Sequence, residues 1–275
     1  MDAPIPRWLR AFFLVVAAQA FLVTLALFQP TLINIVEPWP ASPLNARFIG
    51  ALYTGLGIGV LLCLRTRWFR EVRLIVVGIA VATATLLVIT LYRLGVYGMG
   101  ELAFPDQFPV GWTLFYIIDP LVVVYTLWRF RGQDTAPNTP NPLAWLWATE
   151  AVFLGALGLL LLLLPNLAIS LWPWAMTSPL SQLYSGHFLT LAVVSALAVR
   201  EPRWEAVRIM VITLMAIAFL ILAVSVIHFD RFKSDLSTVI WFAFFGAQAI
   251  GLAVLLWRRR VRQSPGAAVS RAGVP

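Results

Sequence analysis

Long apolar blocks punctuate this chain, each roughly 17–25 residues and each able to cross ~30 Å of hydrocarbon as a helix. A backbone inside lipid has no water to bond, so every such block must satisfy its own N–H and C=O groups. The blocks place helices at 9–28, 44–64, 72–92, 112–130, 144–164, 180–199, 205–227 and 237–257. The expected fold is an all-α integral membrane protein of about eight transmembrane helices, built as two parallel-oriented four-helix repeats. Composition agrees: 61% of the 275 residues are hydrophobic and 12% are charged, against about 25% charged in soluble domains.

The formal charge of +8 does not point to nucleic acid, because the basic residues cluster at helix ends. With the N-terminus in the cytoplasm, the inner segments hold 16 of the 20 basic residues, and the outer ones hold only Arg47, Arg93, Arg231 and Lys233. That bias sets the orientation and requires an even number of crossings, with both termini inside. The 12 tryptophans fall near span ends, where an indole keeps its ring in lipid and its N–H wet. Arginine outnumbers lysine 19 to 1, which suggests a GC-rich bacterium and its inner membrane. The first apolar run ends at Gln29-Pro30 without a small-residue cleavage site, so it reads as a retained helix.

Internal repetition is visible in order along the chain. Ser42-Pro43-Leu44 recurs as Ser178-Pro179-Leu180, Gly50 as Gly186 and Trp68 as Trp204, at an offset of 136. Val72-Arg73 recurs as Val207-Arg208 at 135, and Leu127-Trp128-Arg129 as Leu256-Trp257-Arg258 at 129. Each copy has four crossings, so both face the same way about a pseudo-twofold axis along the membrane normal. The division is a first repeat over 1–131, a Pro- and Asn-rich cytoplasmic linker over 132–143, a second repeat over 144–262 and a disordered tail over 263–275. Ser42 and Ser178 are expected N-caps, each ahead of a first-turn proline. The apolar loops over 30–43 and 165–179 read as interfacial segments on the outer leaflet.

Helices in lipid associate through small residues and polar contacts. Gly55/Gly59, Gly78/Ala82, Ala192/Ala196 and the Ala243, Ala247, Gly251 series are expected packing seams. Pro120 is expected to kink the fourth helix.

Four polar residues stand at mid-span: Gln19, Asp119, Glu150 and Gln248. Asp119 and Gln248 correspond between repeats at the offset of 129, and Gln19 and Glu150 correspond if the fifth helix has one extra turn. Each repeat thus holds one polar group on its first helix and one on its last, a carboxyl and an amide in each. A charge at this depth costs about 2.5–3.5 kcal/mol on insertion scales, so these groups must face the interior. Two readings follow, polar glue between helices or a ligand-binding or proton-relay site. The histidines His187 and His228 both lie toward the outer face and offer a haem or metal site as a lesser alternative. No histidine falls in the first repeat, so no pair recurs. Cys63, the lone cysteine, reads as a packing residue. No Walker loop, GxSxG, HExxH or CxxC occurs.

The expectation is a non-enzymatic membrane protein that binds or moves a small or lipid-like solute between the repeats. The alternatives are an assembly subunit and a membrane-embedded redox enzyme. Beyond the bilayer, a small-molecule or lipid ligand is the expected partner, and no cofactor is predicted.

Overall fold

The computed structural model describes residues 3–32, 41–101, 110–132 and 139–263, and regular structure among them is helical. The helices are α1 (Arg7–Thr24), α2 (Pro43–Cys63), α3 (Phe69–Glu101), α4 (Val110–Arg129), α5 (Ala144–Leu163), the short α6 (Pro165–Leu171), α7 (Ser178–Ala198), α8 (Trp204–Ile227) and α9 (Leu236–Gln263). Seven segments are long and apolar enough to cross a membrane: Arg7–Leu27, Pro43–Cys63, Phe69–Tyr92, Ala144–Leu163, Ser178–Ala198, Trp204–Ile227 and Leu236–Val261. The 20-residue α4 occupies the place of the expected fourth span but stands outside those seven. It runs through Pro120 as one helix. Residues 264–275 of the expected disordered tail, 133–138 of the linker and 33–40 of the first outer loop lie outside the described residues.

Packing pairs α1 with α2 and α3 with α4 in the first half, and α5 with α7 and α8 with α9 in the second. Across the halves, α2 lies along α8, α3 lies along α7, and α3 also meets α8. The second and third helices of one half therefore sit mainly against the third and second helices of the other.

The Gly55/Gly59 seam explains the closeness of α2 and α8. A Cβ on Gly55 would lie 2.2 Å from Cγ1 of Ile217, and one on Gly59 would lie 2.2 Å from Oγ1 of Thr213. Only glycine lets these helices approach so far without a hydrophobic drive. Gly78 rests on Val194 and Thr190 of α7 at wider spacing, and Gly155 of α5 touches Ala192 of the same helix. The expected α9 seam differs: Ala243, Ala247 and Gly251 are exposed, and a Cβ on Gly251 would meet nothing within 4 Å. The α8 side of this helix is covered instead by Trp241, Phe245, Ala249 and Leu252, all buried.

Each half ties the segment before its first helix to the turn between its second and third. In the first half, Ile5 donates from its backbone N to Arg67 O at 2.9 Å, and Phe69 N donates to Ala3 O at 2.9 Å. Arg10 adds guanidinium bonds to the carbonyls of Leu64 and Thr66. In the second half, the Asn141 amide donates to the carbonyls of Ala198, Val199 and Glu201 at 2.8, 3.2 and 3.1 Å. These bonds occupy carbonyls that a helix C-terminus leaves unpaired.

At the opposite end, Ser42 caps α2 as expected, accepting from Asn45 N at 3.4 Å. The second helix start is shifted by one residue, with Thr177 at the cap position and Ser178 inside α7. The expected interfacial segment over 165–179 contains α6, whose Leu167 and Leu171 are exposed. Trp172, Trp174 and Trp241 are not a lipid-facing belt. They are buried in one edge-to-face cluster with Phe48 and Tyr184. Two of the three indoles have a partner for the buried N–H: Trp174 donates to Asn45 Oδ1 at 2.7 Å, and Trp241 to Ser225 Oγ at 2.9 Å, while Trp172 Nε1 has none among the described residues.

Candidate functional site

The two amide–carboxyl couples differ: a direct bond joins Glu150 to Gln248, whereas Gln19 Nε2 and Asp119 Oδ2 have no hydrogen-bond partner among the described residues. In the second half, Gln248 Nε2 of α9 donates to Glu150 Oε1 of α5 at 2.6 Å. Phe153 and Phe244 stack about one turn along the same helices, with ring centroids 4.2 Å apart. This pair is closed, and both partners are used.

In the first half, Gln19 of α1 faces Asp119 of α4. Here the Gln19 Nε2 and the Asp119 Oδ2 are buried without a hydrogen-bond partner. An unsatisfied buried polar atom costs about 1–3 kcal/mol, so the unmatched pair asks for an explanation. Beside it lies a cavity of about 90 Å³, which Gln19 and Asp119 line.

Six helices build the cavity wall. Gln19 comes from α1, Tyr53 from α2, Thr83 from α3, Tyr116 and Asp119 from α4, His187 and Thr190 from α7, and Thr213 from α8; most of the remaining wall is apolar. It therefore lies in the first half and is closed by the second and third helices of the other. The spacing of Tyr116 and Asp119, three residues apart, puts both on one face of α4.

The polar groups form a graded lining. Thr83, Thr190 and Thr213 each donate to a carbonyl of their own helix, at 2.7, 2.7 and 2.9 Å. Their oxygens retain acceptor capacity. The Tyr53 and Tyr116 hydroxyls lie 3.4 Å apart. The His187 ring meets Tyr53 edge to face at 5.0 Å, and its Nδ1 lies 3.3 Å from Leu183 O. That contact leaves Nε2 as the ring atom for the cavity.

Of the six candidate residues, the cavity gathers Gln19, Asp119 and His187; Glu150, Gln248 and His228 do not line it. His228 closes α8, and its Nε2 lies 2.8 Å from an Arg47 guanidinium nitrogen. Arg47 also holds Leu27 O at 3.0 Å. Arginine can only donate, so His228 Nε2 accepts. Burial, then the Arg47 and Arg231 charges, push the His228 imidazole below its ordinary range against the opposing pull of Asp230. The two histidines are thus engaged separately. Among the described residues no three of His, Cys, Asp and Glu gather as metal ligands.

Tyr53 and Tyr116 were not among the expected site residues. A readable signal existed for Tyr116, a hydroxyl one helical turn from a mid-span carboxyl. None existed for Tyr53, whose partner His187 lies 134 residues away.

The chain matches no family model, and comparison with curated proteins and with solved structures gives no match.

Proposed function

We propose that this is an eight-span protein of the bacterial inner membrane, with both termini cytoplasmic, that binds a small, mostly apolar solute in the cavity beside Asp119. The solute carries one or two groups able to hydrogen-bond, and the two repeats close around it. The single observation that supports this reading is the unpaired Gln19 Nε2 and Asp119 Oδ2 on the wall of a mostly apolar cavity. Convergent polar groups in an apolar pocket are the usual form of a small-molecule site. The cavity's wall crosses between halves, so rocking one half against the other would open it, as repeat-built carriers do. The exchange of packing partners between α2, α3, α7 and α8 supports the twofold relation of the halves.

The test is to purify the protein and extract it with organic solvent, comparing wild type with A82F, which fills the cavity from α3. A species that co-purifies with wild type and with the Glu150→Gln variant, but not with A82F or Asp119→Leu, is the expected result. Identical extracts from all four folded proteins overturn the proposal.

A second reading, helix assembly alone, is favoured for Glu150 and Gln248 by their closed 2.6 Å bond.

A further inference from the structure

At the arginine-rich end, the C-terminus of α2, the first half of α8 and the last turns of α9 leave a groove of about 570 Å³. Its rim carries Arg65, Arg208, Arg259 and Arg260, and no Asp or Glu lines it. Its floor is apolar, with Leu62, Ile212, Met215 and Ala253 running away from that rim. Trp204 and Trp257 flank it. The Arg259 guanidinium lies over the Trp204 ring at 5.2 Å, a stacking that holds the charge in place while leaving its N–H edges to donate.

The groove has two chemistries in one orientation. Several arginines converge at headgroup level, where their planar N–H forks match phosphate oxygens. A greasy channel then continues into the depth occupied by acyl chains. A free phosphate would satisfy the first feature and leave the second without purpose. A zwitterionic lipid would satisfy the second and bring its own cation to a cationic rim. Charge and shape together favour one occupant.

We infer that this groove is a binding site for an anionic phospholipid, its phosphate held by Arg65, Arg208 and Arg259 and an acyl chain laid along Leu62, Ile212 and Met215. The corresponding position in the other half does not repeat it. There Glu201 stands at the 136-residue equivalent of Arg65, and it is held by Arg203 at 2.7 Å. An acid at that place repels a phosphate, so one lipid binds per chain at this kind of site. This inference does not rest on the cavity beside Asp119.

The experiment is native mass spectrometry of the full-length protein in detergent, titrated with dioleoyl phosphatidylglycerol, dioleoyl phosphatidylcholine or inorganic phosphate. Wild type is expected to retain one phosphatidylglycerol in preference to phosphatidylcholine of the same chains, and millimolar phosphate is expected not to displace it. Arg208→Gln alone should weaken phosphatidylglycerol roughly fivefold, and R208Q with R259Q roughly thirtyfold, at about one charge's membrane attraction each. Arg258→Gln, which removes an exposed charge from α9 beside the groove, should change binding less than twofold. Equal retention of both lipids by wild type overturns the proposal without needing any variant. So does displacement by phosphate, or a loss in Arg258→Gln as large as in the double variant.

Discussion

Gly59 shows how much one missing carbon can decide. Its hypothetical Cβ would sit 2.2 Å from the Thr213 hydroxyl, a distance at which backbone or side chain must move. Gly59→Val should therefore destabilise the protein by about 1–3 kcal/mol through overpacking, read as a lower thermal midpoint in detergent. Gly251→Ala, open on every side, should be neutral or raise the midpoint, since alanine is the better helix former. His228 gives a residue-scale pH dependence. Its folded proton affinity is below the ordinary value, so the folded state favours the neutral ring that accepts from Arg47. That stabilisation is present above the unfolded imidazole range, near pH ~6.5, and is lost as pH falls below it. Protection factors of amides around Arg47 and His228, corrected for the intrinsic pH dependence of exchange, should be lower at pH 5 than at pH 8, and His228→Leu should abolish the difference. Residue identity was legible at mid-span, because Asp119 and Glu150 are conspicuous against an apolar background. What the one-dimensional pattern could not convey is that one pair closes and the other does not.

Among helices, contacts that join distant segments matter more than propensity. The Glu150–Gln248 bond and the Phe153–Phe244 stack link α5 to α9, two helices that otherwise touch little. Glu150→Gln should preserve the link through amide pairing, while Glu150→Leu should cost about 1 kcal/mol, the usual size of such a bond between membrane helices. Comparing their thermal midpoints checks this; equal values would mean the bond contributes nothing. The latches at the arginine-rich end are separate from it. Asn141→Ala removes three carbonyl partners at once and should cost about 1–3 kcal/mol, with faster exchange at residues 198–203. Helix positions were readable because a bilayer imposes length and hydropathy together. The α9 face was misread because small residues suit a helix interface and a lipid-facing surface equally well. The tryptophans over 172–174 were misread for a related reason: an indole at the boundary can point outward to headgroups or inward to Asn45, and the local sequence is the same.

For the whole molecule, the proposed topology makes a direct prediction. Cys63 is buried, so engineered cysteines report cleanly. Lys233→Cys should react with a membrane-impermeant maleimide added to intact cells, while Arg67→Cys should react only after lysis. Labelling of both from outside would refute the arrangement. Matched dipeptides at slowly changing offsets divide the sequence into two halves, but they do not say how the halves pack together. No spacing in the sequence announces that α2 takes α8 as its neighbour in place of α3. That exchange bears on how the protein is made. While the ribosome is still producing the later helices, α2 and α3 wait in the bilayer with their inward faces uncovered, Gly55 and Gly59 among them. Newly inserted first halves are thus dependent on lipid, an insertase or a chaperone until synthesis ends. A chain severed within the linker should yield two fragments that accumulate when produced together and are degraded when either is produced alone.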